Sequence, residues 1–373
     1  MKELFESTTI DGMQLKNRFI RSATWTGMAT EDGFMTGKLK DLIVNVAKGG
    51  VALVIPDFAP VLKSGQTSIR QLGMYRDEFI PALSSLIDAV HAAGSKIVIQ
   101  LVHGGAHSVP ELTGLESKGP SDMPATAGKF RAFPGCREMS QSDIDEIVEG
   151  YRLAAIRAKK AGFDGIQLHC AHGYLFSQFL SPFYNRRGDK YGGDIANRTR
   201  IIVDTYQQVR KEVGSNYPIL VKMNVTDFLV GGISSGDVLQ AAVILARTGI
   251  DAIELSGGTG WGMVLGDFNL TPMRMVKDEG YYRDTAKSLK SSVQVPVILT
   301  GGIRSYQTAE RFVHDGIADY IGLCRPLIRE PGLINRWKSG DKRESECVSD
   351  NGCGAVLLMG KDFQCVKLGQ KES

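Results

Sequence analysis

The run Asp164-Gly165-Ile166-Gln167-Leu168-His169-Cys170-Ala171-His172-Gly173-Tyr174 joins a short apolar segment to two histidines and a tyrosine. The chain has six histidines, and two of them fall here. Their spacing lets two imidazoles and a phenol converge on one small ligand. An imidazole can donate from either ring nitrogen, and a tyrosine can release its proton. The combination suits a reaction that polarises an oxygen and delivers a proton. Read alone, the stretch is equally a strand end with incidental polar residues, so its surroundings must decide.

Two other polar residues interrupt apolar runs. They are Gln100 in Ile97-Val98-Ile99-Gln100-Leu101-Val102-His103 and Lys222 in Leu220-Val221-Lys222-Met223-Asn224. A buried amide or ammonium is costly unless it is paired. An isoalloxazine ring would pair both, because its pyrimidine edge matches an amide and its N1–C2=O edge becomes anionic on reduction. Pairing with other protein groups is the alternative. Near the C-terminus, Thr300-Gly301-Gly302-Ile303-Arg304-Ser305 and Gly322-Leu323-Cys324-Arg325-Pro326 each follow an apolar run. Gly301 and Gly302 allow close backbone approach to a phosphate, and Arg325 can add a bidentate contact. A tight turn with a surface arginine is the plainer reading of the same residues.

These residues need a scaffold, and the chain supplies a regular one. Apolar, Val- and Ile-rich runs recur at Asn17–Ala23, Val51–Ala59, Lys96–Gly105, Asp164–Cys170, Pro218–Val225, Asp251–Gly257, Pro296–Gly302 and Asp319–Arg325. Helix-like segments lie between them. In Arg198–Val213, residues Ile201, Ile202, Thr205, Val209 and Val213 share a face. Ser142–Ala161 reads as a helix with Ser142 as N-cap and Asp145 closing a capping box. Gly94, Gly162, Gly214, Gly249 and Gly316 stand where a left-handed C-terminal cap is expected. Strand–helix alternation of this kind predicts a (β/α)8 TIM barrel, a single domain. A doubly wound open sheet is the weaker option, since Thr24-Trp25-Thr26-Gly27-Met28 after the first strand is no dinucleotide fingerprint. The long loops Gly104–Ser140, Gly173–Ala196, Thr226–Ser235 and Gly257–Asp278 all follow strands, which puts them at the active face of a barrel.

Composition excludes several classes. The 373 residues are 43% hydrophobic and 23% charged, ordinary for a globular core. A net charge of +3 is too mild for a nucleic-acid or membrane partner. No apolar signal core or membrane-length run is seen, and six scattered cysteines read as reduced thiols. A cytoplasmic enzyme is the expectation, with a small-molecule partner. Assembly with copies of itself stays open.

With these residues in place, the sequence resembles the old yellow enzyme family of FMN-dependent oxidoreductases, in its NADH:flavin oxidoreductase branch. The resemblance covers residues 1–340. Its landmarks run in order: Leu15-Lys16-Asn17-Arg18, Glu31-Asp32-Gly33, Gln100-Leu101 with His103, and Ala161-Gly162-Phe163-Asp164-Gly165. After the histidine pair come Gln178-Phe179-Leu180-Ser181-Pro182, Asn185-Arg186-Arg187, Asp189-Lys190-Tyr191-Gly192-Gly193 and Asn197-Arg198. The resemblance implies FMN, reduced by NADH or NADPH, and hydride transfer to an activated alkene such as an α,β-unsaturated carbonyl compound. It implies that Gln100 and Lys222 hold the flavin pyrimidine. Ser22, Ala23, Thr24 and Ala59 would pack on the ring, and Gly302, Cys324 and Arg325 would take the phosphate. His169 and His172 would bind the substrate oxygen, and Tyr174 would give the proton. Lys222 stands where many members carry Arg. Trp25 stands where many carry a small Thr or Cys, so it should reshape the substrate pocket. The loop Gly104-Gly105-Ala106-His107-Ser108 lacks the Arg common in one branch. An FMN barrel acting on an amine or on RNA uridines, and a non-catalytic phosphate-binding barrel, are the competing functions.

The segment 341–373 reads as a cysteine-containing tail appended to a 1–340 barrel. Larger relatives carry four cysteines near this point that bind an iron–sulfur cluster. Here Cys347, Cys353 and Cys365 match, but Asp350 takes the place of one ligand. Free thiols are expected there in preference to a cluster or zinc, and no metal is assigned.

Overall fold

Each apolar run of the sequence becomes a strand of one parallel barrel. The computed structural model describes residues 2–267, 269, 278–361 and 363–368. The barrel strands are β1 Phe19–Arg21, β2 in two pieces Leu53–Val54 and Phe58–Pro60, β3 Lys96–Val102 and β4 Gly165–Cys170. They continue as β5 Ile219–Asn224, β6 Ala252–Ser256, β7 Val297–Leu299 and β8 Tyr320–Leu323. Each pairs in parallel with its successor, and β8 pairs with β1, so the sheet closes without an edge. β4, β5 and β6 are buried throughout, as strands covered by helices outside and filled inside must be.

The helices wrap this barrel with their apolar faces inward. Helix Ile195–Val213 starts at Asp194, whose carboxylate accepts from the Asn197 N–H, and it buries Ile201, Ile202, Thr205, Val209 and Val213. The preceding helix corrects the expected cap. It spans Gln141–Ala161, with Ser140 as N-cap and Asp143 completing the capping box. The sequence Ser140-Gln141-Ser142-Asp143-Ile144-Asp145 holds two overlapping boxes of equal spacing. Distant cations choose between them, since Lys118 Nζ lies 2.5 Å and Arg137 Nη2 3.2 Å from Asp143. All five expected cap glycines have positive φ. Gly162 and Gly249 are left-handed caps, and Gly94 and Gly316 follow the cap residue by one. Gly214 differs, with φ +83° but an extended ψ of 178°.

An N-terminal hairpin, Thr8–Ile10 with Met13–Leu15, plugs the bottom of the barrel. Ile10, Met13 and Leu15 form one buried cluster with Ile20, Leu53, Val98, Leu220, Ala252 and Ile298 from inside the strands. The long loops sit at the opposite end. Of these, Gly257–Asp278 lies partly outside the described residues, at 268 and 270–277. After β8 the chain folds back: the Ser345 N–H donates to Arg304 O (2.9 Å), and a helix forms at Gly352–Leu358. No described helix is long and apolar enough to cross a membrane.

Candidate active site

A cavity of about 380 Å³ opens at the C-terminal ends of the strands. This is within the usual size of a small-molecule site. Ser22, Ala23, Thr24, Trp25, Gln100, His169, His172, Tyr174, Lys222, Gly301, Gly302, Cys324 and Arg325 all line it. Of the expected site residues only Ala59 does not. Side chains alternate along a strand, so with Phe58 facing the cavity, Ala59 faces the helices and is fully buried there.

A polar layer forms the floor. Lys222 Nζ lies 3.1 Å from Glu254 Oε1 and donates to Ser22 Oγ (2.8 Å). Gln167 Nε2 donates to Glu254 Oε2 (2.7 Å), and Gln100 Nε2 donates to Gln167 Oε1 (2.6 Å). Ser22 Oγ also donates to Glu254 Oε1. With its nitrogen held by Gln167, Gln100 has its carbonyl oxygen left to accept from a ligand N–H. Gln167 and Glu254 are wholly buried and were not anticipated. They carry the same signal as Gln100 and Lys222, a polar residue inside an apolar strand. The register places Lys222 directly beside both His169 and Glu254.

The wall above that floor is aromatic. The rings of His169 and His172 are 5.0 Å apart between centroids, as are those of His169 and Tyr174. Phe58 packs at 5.8 Å from His169 and 5.3 Å from Tyr174. Two successive left-handed residues, His172 (φ +63°) and Gly173 (φ +76°), turn the chain sharply after β4. For a non-glycine residue this conformation costs on the order of 1 kcal/mol. It is held by the His172 N–H, which donates to Asn224 Oδ1 (3.0 Å), and by Gln178 Nε2 donating to Gly173 O (2.6 Å).

Protonation states follow from burial. Both imidazoles are held well below the usual histidine range, chiefly by burial, with His172 and then Lys222 adding to it at His169 and Lys222 at His172, so they are neutral. His169 Nδ1 accepts from the Ala171 N–H (3.3 Å), which places the ring proton on Nε2. His172 Nε2 and Ser256 Oγ are 2.6 Å apart. If the hydroxyl donates there, Nδ1 carries the proton of His172. Burial raises the Tyr174 phenol above its ordinary value, while the charge of Arg131 and a hydrogen bond with Thr67 draw it part of the way back. Tyr174 is therefore a protonated acid at neutral pH.

The far end of the cavity lies between the ends of β7 and β8. Gly301 and Gly302 both have positive φ, and β8 runs into the short helix Arg325–Arg329. Arg325 Nη1 donates to Asn351 Oδ1 (2.7 Å), so the tail braces it. Ser349, Cys353, Gly354, Leu357 and Phe363 of the tail also line the cavity. The segment read as an appendage thus forms part of the site wall. Its thiols are a separate matter. Cys347, Cys353 and Cys365 stand with Asp350 around a space of about 20 Å³, room for roughly one water. Burial pushes the Cys347 thiol up and the Cys353 thiol up to about 12. This arrangement does not fit an iron–sulfur cluster.

The most specific stretch of the resemblance is architectural. Arg187, largely buried, donates to Pro120 O (3.0 Å) and Met139 O (2.7 Å) and pairs with Asp189. Asn185 Nδ2 donates to Phe179 O and Tyr191 O, both at 2.8 Å. These residues staple the loop after β4 and do not line the cavity.

Comparison with known proteins agrees with this geometry. Residues 3–344 match the model of the NADH:flavin oxidoreductase / NADH oxidase family. The NADH oxidase of Thermoanaerobacter brockii is 34% identical over 370 residues, covering 98% of this chain and 55% of that protein. The NADPH dehydrogenase of Listeria welshimeri is 35% identical over 332 residues, 89% of this chain and 93% of that protein. A structure of 2-naphthoyl-CoA reductase with 2-naphthoyl-CoA superposes with a TM-score of 0.90 at 25% identity, over 97% of this chain and 56% of that one. The old yellow enzyme homologue from Zymomonas mobilis shares the fold, with a TM-score of 0.78 at 23% identity over 93% of this chain and 96% of that one. The chain spans about half the length of some of these relatives, the NADH oxidase and the naphthoyl-CoA reductase among them.

Proposed function

Since the chain belongs to the NADH:flavin oxidoreductase / NADH oxidase family, we propose that it is an FMN-dependent ene-reductase of the old yellow enzyme type. The chemistry that FMN supplies when bound is a two-electron hydride relay from NADH or NADPH to an activated alkene. Gln100 and Lys222 would hold its pyrimidine edge. The Ser22–Thr24 backbone would support the ring, and Gly301, Gly302, Cys324 and Arg325 would receive the phosphate.

The observation that carries this reading is the convergence of His169, His172 and Tyr174 in one cavity with that flavin-holding set. The two neutral imidazoles donate N–H hydrogen bonds to the substrate carbonyl oxygen and stabilise the charge that grows there, as an oxyanion hole does. Tyr174 Oη then gives its proton to the α-carbon. Phe58, packed on His169 and Tyr174, would shield that carbon from water.

Purified protein should be yellow and should lose its visible band on anaerobic addition of NADH or NADPH. Adding 2-cyclohexenone should restore the band and yield cyclohexanone. A reduced protein that the enone cannot reoxidise would reject the ene-reductase reading.

A further inference from the structure

Four cations line the cavity, Arg131, Lys222, Arg304 and Arg325, and no carboxylate does among the described residues. Three are accounted for. Lys222 is offset by Glu254 from behind. Arg304 lies 3.3 Å from Glu344, and Arg325 is braced by Asn351 at the phosphate end. Arg131 stands apart from these. Its Nη2 donates to a main-chain acceptor, His107 O, at 3.3 Å, and it has no acidic partner among the described residues.

The backbone fixes where this guanidinium sits. Arg131 is carried by a hairpin whose arms bridge at Met123–Cys136 and Thr126–Phe133. Its tip is tied to the helix Trp261–Leu265, through the Lys129 N–H to Val264 O (2.8 Å) and the Phe130 N–H to Met263 O (3.1 Å). That helix follows Thr259, which bridges to His172, and His107 belongs to the loop after β3, so Arg131 stands on the His172–Tyr174 side of the cavity and not beside β7 and β8. The Tyr174 phenol feels the same charge. In a low-dielectric cleft lined by one sign of charge, the field is focused on the ligand.

We infer that Arg131 is a specificity residue for substrates that carry a second, anionic group, a carboxylate, besides the carbonyl held by His169 and His172. This rests on the oxygen-binding role proposed above for those histidines. The occupant is an unsaturated carbonyl compound bearing a separate carboxylate, whose two oxygens match the guanidinium fork.

Phenols that mimic the enolate test this without turnover. The FMN-loaded protein is titrated with 4-hydroxybenzoate and with its methyl ester, following the flavin absorption. The acid should bind about tenfold more tightly, the scale of one charge-assisted hydrogen bond. Arg131→Gln should abolish the preference while leaving ester affinity within twofold, and Arg131→Lys should keep part of it. Equal affinities in the parent protein, or a preference that survives Arg131→Gln, overturns the inference alone. Failure of both phenols to perturb the flavin overturns the oxygen pocket and this inference with it.

Discussion

Lys222 and Glu254 face each other at 3.1 Å across neighbouring strands, both buried, directly beneath the cavity. The carboxylate offsets the ammonium, so the floor offers a flavin less net positive charge than Lys222 alone would. Glu254→Gln should uncover that charge and favour the anionic reduced flavin. We expect the two-electron potential of bound FMN to rise by about 30 mV or more, a tenfold change in the reduction equilibrium. Spectroelectrochemistry reads this directly, and an unchanged potential would remove Glu254 from any tuning role.

Tyr174→Phe keeps the ring that packs on Phe58 and removes the acid. Flavin reduction by the nicotinamide should persist, while enone reduction slows by about 10²-fold or more. Stopped-flow measurement of the two half-reactions separates them. Unchanged enone turnover would deny Tyr174 the proton.

Replacing His169 and His172 together with alanine should weaken phenol ligands, since two donors to one oxygen are lost. About 10²-fold is the expected loss, at roughly 1.4 kcal/mol for each donor. Parental affinity in the double variant would reject the pair as an oxygen site.

Acid should destabilise the fold well above the carboxylate range. His103 and His107 are depressed to about 3, and His169 and His172 well below their ordinary value, in each case chiefly by burial. Between those folded values and the unfolded value near 6.5, the unfolded chain binds more protons, so stability falls as pH falls. Each histidine contributes about 1.4 kcal/mol per pH unit in that window. Asp57, raised by burial to about 7, works in the opposite direction, because its folded form keeps a proton that the unfolded form releases. The four histidines outweigh it. Urea midpoints measured at pH 7 and pH 5 should show the lower value at pH 5, and equal midpoints would contradict the neutral imidazoles.

The tail should matter for cofactor retention. Asn351 braces Arg325, and Leu357 and Phe363 close the wall beside it. A variant lacking residues 346–373 should bind FMN about tenfold more weakly, the cost of a lost hydrogen bond to a charged group. Flavin fluorescence on titration measures it, and parental affinity would make the tail dispensable.

The barrel was legible because its strands are apolar runs between glycine-punctuated helices, a local pattern that the fold cannot change. His169, Gln100 and Lys222 stood out as polar residues inside apolar strands, and His172 and Tyr174 as polar residues just past the end of one; all five line the cavity. The same argument applied to Gln167 and Glu254, which were passed over because a lone residue in a strand does not reveal its cross-strand partner. Ala59 does not line the cavity, because strand alternation turns its side chain toward the helices. The Ser142 cap failed because Lys118 and Arg137, distant in sequence, select Asp143. The tail's place in the cavity wall and the position of Arg131 are tertiary facts, with no period or motif to announce them.

The hairpin plug makes the barrel a cul-de-sac. Its buried cluster fills the lower strand layer, and none of the described cavity-lining residues belongs to that layer apart from Ala23 at its margin. In the proposed reaction, reductant and acceptor would both have to come in from the loop end of the barrel, since the opposite end is filled. Each would then have to leave before the next could enter, so an excess of either would hold up the other.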